Sequence, residues 1–106
     1  MLKKSYELTG NELNWAVAQA RGLLVNNEMP VGYNPVGDTA TAGPFMDEYN
    51  PELMPSDDGN GNVSYSCVVL FDYGNTVFGS SWREAICRSI VTTVSGHDID
   101  VPDGLN

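Results

Sequence analysis

An α+β domain is the fold class this sequence predicts: two helices packed on a short antiparallel sheet, with a long irregular Pro/Gly-rich loop between them. Apolar residues recur at helical spacing in two places, each behind a capping sequence. Between them, one run alternates with the period of a strand. Residues 25–62 hold five of the six prolines, and neither period survives there. At 106 residues the chain reads as a single domain, 1–106, with one modest core. A hydrophobic content of 42% with 18% charged residues excludes a wholly disordered chain.

Lys3 to Glu7 reads as a short edge strand, with Tyr6 and Leu8 on one side and Glu7 on the other. Thr9-Gly10-Asn11-Glu12 has the form of a capping box, in which Thr9 accepts from an early amide and Glu12 reaches back. Leu13, Ala16, Val17, Ala20 and Leu24 then line one helical face, which predicts a helix over residues 10–21 stopped by Gly22. Trp15 lies beside that face, either at the edge of the core or in a ligand or subunit contact. In 25–62 the apolar residues Tyr33, Phe45, Met46, Tyr49, Leu53 and Met54 are expected to tie the loop to the domain. Asn60-Gly61 marks a tight turn. After it, Val63, Tyr65, Cys67, Val69 and Phe71 share one face of a strand whose second half, with Val68 and Leu70, is apolar on both faces. Asp72-Tyr73-Gly74-Asn75 turns the chain so that Thr76-Val77-Phe78 pairs back. Ser81-Trp82-Arg83-Glu84 repeats the capping pattern before a second helix ended by Gly96, and 97–102 reads as a last short strand.

Charge narrows the classes of function. Fourteen acidic residues against five Lys and Arg give −9 and a pI near 4.1. Glu28, Asp38, Asp47, Glu48, Glu52, Asp57, Asp58 and Asp72 fall in residues 25–72, where no Lys or Arg occurs. Such a surface repels phosphate backbones and anionic lipid, so neither direct nucleic-acid binding nor membrane binding is expected. No signal-length apolar stretch follows Lys3-Lys4, and no run reaches membrane-spanning length. Cys67 and Cys87 match no zinc or redox spacing and read as buried thiols in a reducing compartment.

No catalytic residue, metal or cofactor is predicted. His97 is the sole histidine and reads as a surface or capping residue, and no nucleophile-His-acid order is present. Gly74-x-x-x-x-Gly79 has P-loop spacing, but Ser80 stands where the phosphate-binding lysine is required. Asp58-x-Asn60-x-Asn62 opens like a calcium loop, but Val63 and Val69 occupy its glycine and glutamate positions. The candidate ligand site is Gly79, Ser80 and Ser81 with Arg83 and Arg88: amides at a helix start, hydroxyls and two guanidinium groups suited to phosphate. Trp82 or Tyr33 would stack on a base. The alternative is structural, with Gly-Ser-Ser capping the helix and Arg83 pairing with an acid of the loop.

Leu8-Thr9-Gly10-Asn11-Glu12-Leu13-Asn14-Trp15-Ala16-Val17-Ala18 resembles the N-terminal signature of the NinX family of lambdoid phages. Gly32-Tyr33-Asn34-Pro35 resembles that family's tyrosine loop, and Gly43-Pro44-Phe45-Met46 its Gly-Gly-Pro segment. Gly79-Ser80-Ser81 with Ala85-Ile86-Cys87-Arg88, and Gly96 with Asp98, Asp100, Val101 and Pro102, follow in the family's order. The resemblance implies a small phage accessory protein in the host cytoplasm, without an established catalytic motif. In that setting the first expectation is a counter-defence protein that sequesters a small phosphorylated host molecule, such as a nucleotide immune signal, under the long loop. The alternative is an acidic inhibitor of a host nucleic-acid enzyme or defence protein, steered by residues 25–72. A homo-oligomer would cover the apolar surface that so few elements leave.

Overall fold

The computed structural model describes residues 1–105, which form a small α+β fold with two antiparallel sheets. Strand β1 (Leu2–Lys4) runs into a 3₁₀ turn (Ser5–Glu7) and then helix α1 (Gly10–Ala20). Two short helices follow, α2 (Thr39–Ala42) and α3 (Phe45–Tyr49). Strands β2 (Glu52–Asp57), β3 (Val63–Val68) and β4 (Val77–Gly79) lead to helix α4 (Trp82–Ser95) and strand β5 (Asp98–Asp100).

The layers are sheet, α4 and α1, in that order. The sheet β2-β3-β4 rests on α4, and α1 packs against α4. The central position of α4 explains why Ala85, Ile86, Cys87, Ser89, Ile90, Val91 and Thr92 are all buried. In cross-strand register, Leu53, Cys67 and Val77 form the row turned toward α4, whereas Met54, Ser66 and Phe78 form the row on the opposite face. β1 and β5 make a separate two-stranded sheet, with Leu2 opposite Asp100. Leu8, Leu13, Trp15, Val17 and Phe45 join the core.

Several expectations need correction. Residues 25–62 are not irregular throughout. Asp38 caps α2 by accepting from the Ala40 amide, Phe45 buries α3, and 52–57 is a strand. That strand escaped the periodicity test because only Leu53 of its residues faces the core closely, while Glu52 and 54–57 are exposed. The N-terminal strand ends at Lys4 and belongs to its own sheet. Thr9 occupies the first cap without a side-chain bond, and the Glu12 carboxylate, instead of reaching back to it, is turned to Lys3 Nζ at 2.7–2.8 Å. β3 stops at Val68 rather than Phe71, since Leu70 and Phe71 adopt φ of +53° and +58°. Of the two readings left open for Trp15 the structure gives the core one: it is buried, and its indole N–H donates to Asn27 O at 3.0 Å.

The long axis measures 43 Å against 27 Å across. β4 pairs only with residues 65–67, so the outer part of the β2–β3 hairpin carries no third strand. Residues 54–64 are exposed, and Asp57 and Asp58 sit at the hairpin's tip.

Candidate functional site

The junction from β4 into α4 gathers the residues expected to hold phosphate, and it gives nearly all of them internal partners. Gly79 is where the strand passes under the helix. A Cβ there would lie 2.5 Å from Ala85 N and 2.9 Å from Ala85 Cα, so the glycine is required by packing alone. Ser81 is the N-cap, accepting from the Glu84 amide at 3.1 Å. The Glu84 carboxylate turns back to accept from the Ser80 amide at 2.9 Å and the Ser80 hydroxyl at 3.1 Å. A carboxylate of the chain itself therefore occupies the place where an external anion was expected.

The two arginines serve as braces. Arg88 Nε donates to Leu8 O at 2.9 Å and its Nη1 to Phe78 O at 2.8 Å, with Glu84 3.4 Å away. One guanidinium thus joins the start of α1, the outer edge of β4 and the first turn of α4. Arg83 does not pair with an acid of the loop. Its Nε donates to Val36 O and its Nη1 to Thr39 Oγ1, both at 3.2 Å, while the guanidinium lies 5.3 Å from the centre of the Trp82 ring. Trp82 is half-buried against the core. Tyr33 belongs to another neighbourhood: its hydroxyl accepts from Arg21 Nη1 at 3.4 Å, and it lines a cleft with Asn14, Met29 and Asn34. Burial works against the Arg21 charge, but bonds with Tyr33 and Tyr49 and the 2.6 Å pair with Glu48 more than offset it and hold its pKa above normal. The S-x-x-E pattern at 81–84, with Arg one turn later, is the signal by which this self-sufficiency was readable.

What remains unneutralised is acid. Each of the five cations has an internal partner: Lys3 with Glu12, Lys4 with Asp98, Arg21 with Glu48, and Arg83 and Arg88 as above. In residues 25–72, Glu48 is the only carboxylate in an ion pair among the described residues. Glu28, Asp38, Asp47, Glu52, Asp57 and Asp58 are exposed. Asp38 and Asp58 are held below the usual carboxylate range by hydrogen bonds, chiefly from the Thr41 hydroxyl to Asp38 and from the Asn62 side chain to Asp58.

The thiols offer no nucleophile. Burial pushes Cys67 up to about 11 and Cys87 to about 12, so both stay protonated near neutrality. His97 Nε2 lies 2.7 Å from Asn75 Oδ1, and its ring meets Tyr6 edge to face at 5.9 Å. Among the described residues, no group of three or more His, Cys, Asp or Glu is placed to hold a metal, and no helix is long and apolar enough to cross a membrane.

No family model matches the chain, and the search of curated proteins gives no match either.

Proposed function

We propose that this is a non-enzymatic binding protein that meets a partner protein through charge, presenting the acidic surface of residues 25–72 to a basic surface. In the setting that the NinX resemblance implies, it is a phage accessory protein, and the partner is a host defence protein or nucleic-acid enzyme. The observation that supports this reading is the imbalance just described: each Lys and Arg is engaged within the fold, while six carboxylates of one segment stand exposed outside any ion pair. Such a field accelerates encounter with a basic surface and repels acidic ones. Capture of a small phosphorylated molecule has less support, because Glu84 fills the helix start and both arginines are committed to carbonyls.

Two measurements test the reading together. A thermal-shift panel of nucleotides and cyclic nucleotides is expected to be flat. A ligand at ~100 times its Kd would add ~2.7 kcal/mol and move the melting temperature by several degrees, which would restore the small-molecule reading. Partners captured from host lysate, then purified, are expected to be basic and to lose affinity at least tenfold between about 0.05 and about 0.3 M salt. A purified partner bound equally at both salt concentrations would contradict charge-driven recognition.

A further inference from the structure

We propose that the outer face of the β2-β3-β4 sheet, together with the Leu70–Phe71 turn, is the docking surface, and that its occupant is a partner protein offering arginine or lysine around an apolar centre. The inference rests on the charge-driven reading above and assigns it a place.

Two large apolar side chains stand uncovered on this face, among Ser56, Ser64 and Ser66. Met54 and Phe78 stand across Ser66 in one cross-strand row and are 69% and 61% exposed. Tyr73, in the following turn and 63% exposed, has its hydroxyl beside the carboxylate of Glu52, the residue opposite Val68. Solitary exposed apolar side chains are ordinary on soluble proteins, but Met54 and Phe78 flank Ser66 in a single cross-strand row, and such a pairing suits the centre of a contact surface.

The turn at 69–72 adds an independent sign. The Asp72 amide donates to Val69 O at 3.0 Å, and both central residues have positive φ, the geometry of a type I′ turn. That turn favours Asn and Gly. Here it holds Leu70 and Phe71, with Phe71 65% exposed. A left-handed backbone disfavours such side chains, and exposure returns little burial in compensation. A sequence selected for the turn alone would not place them there.

The sheet's edges turn a partner toward the face. Asp58 N donates to Asn62 O, so pairs in step with 58 and 62 carry the ladder bonds and Pro55 falls at a non-bonded pair opposite Tyr65. Its missing N–H is thus on the free edge of β2, where it blocks addition of another strand. On the other edge, Phe78 O is already taken by Arg88.

Charge selects the occupant. Glu52 lies on the face itself, Asp57 and Asp58 stand at the end of the same hairpin, and no Lys or Arg occurs between Arg21 and Arg83. A second copy would bring the same carboxylates and the same −9 charge, whereas a basic partner meets both the apolar centre and the acidic rim.

The test uses the full ¹⁵N-labelled chain and two synthetic peptides of equal length and charge, one alternating arginine with leucine, the other arginine with serine. The arginine–leucine peptide is expected to shift the amides of Met54, Phe71 and Phe78 and to bind about tenfold more tightly than its counterpart. That advantage should vanish in Met54→Ser/Phe78→Ser and in Phe71→Gly, all changes at exposed positions. Equal binding of the two peptides, or shifts confined to the hairpin tip, would overturn the docking face and leave the charge-driven reading intact. No binding of either peptide at low salt would remove both. A dimer in sedimentation that these substitutions dissolve would make the occupant a second copy, and the proposal would fall.

Discussion

Two stretches of this molecule, close together in sequence, are built on opposite principles. At the β4–α4 junction the polar groups partner one another and the main chain: Ser81 caps the helix, Glu84 holds Ser80, and Arg88 closes the carbonyls of Leu8 and Phe78. At the Leu70–Phe71 turn, large apolar side chains are turned outward on a backbone that disfavours them. The molecule contains its own reference for the second case. Val25 and Glu28 exchange two backbone bonds of 3.0 Å around Asn26 and Asn27, whose φ values are +52° and +64°. The same turn geometry is therefore made once with residues that tolerate it and once with residues that do not. The difference separates what holds this fold together from what it displays.

The largest effect should come from the braced region. Gly79→Ala drives a methyl group into the backbone of Ala85 and is expected to cost about 3 kcal/mol in urea unfolding, with the natural residue as reference. If it costs nothing, the strand–helix contact is not the close one described. Arg88→Met keeps much of the aliphatic stem but removes the bonds to two carbonyls, for an expected loss of about 2 kcal/mol. A stable Arg88→Met variant with altered ligand binding would instead restore Arg88 to a recognition role. Transplanting the unfavourable pair, as Asn26→Leu with Asn27→Phe, should cost about 2 kcal/mol in the same assay. An unchanged midpoint would mean that left-handed backbone is no burden in this protein, and the contrast between the turns would lose its meaning.

The smallest effect concerns acid. Asp38 and Asp58 have folded pKa values below the ordinary carboxylate value of about 3.9, so the folded state favours their charged forms. Their contribution is complete above the unfolded value and is lost as pH falls through the lower, folded ones. Asp58→Asn should therefore make the melting temperature slightly less sensitive to pH below about 4 and leave it unaltered in that respect above. A change in slope between neutrality and mild acid would assign the effect to other groups.

The sequence made the two long helices legible because each carries a sustained apolar face, and β3 with β4 because alternation and a turn survive in the residues themselves. β2 was not legible. Only Leu53 faces the core closely, Pro55 argues against a strand, and its place at an edge is visible only once β3 is beside it. α2 and α3 are too short for periodicity and depend on Asp38 and on burial of Ala42 and Phe45. Of the residues expected at a phosphate site, Gly79, Ser80, Ser81, Trp82, Arg83 and Arg88 come together at the β4–α4 junction and Tyr33 does not. The partners of Arg83 and Arg88 were not legible, because Leu8, Val36 and Phe78 supply carbonyls, and main-chain acceptors leave no mark in a sequence. The exposed turn went unread for the opposite reason: Val68 to Phe71 is an apolar run, and an apolar run reads as a buried strand until backbone angles show where it ends.

The central claim, that Phe71 is displayed at the expense of the fold, is tested most directly by urea unfolding of Phe71→Gly beside the natural chain. Relief of the left-handed backbone, less the entropy that glycine adds to the unfolded chain, predicts a gain of about 0.5–1 kcal/mol with an unchanged slope. A lower midpoint would contradict it: Phe71 would then hold the fold together, and the turn would belong with the braced region.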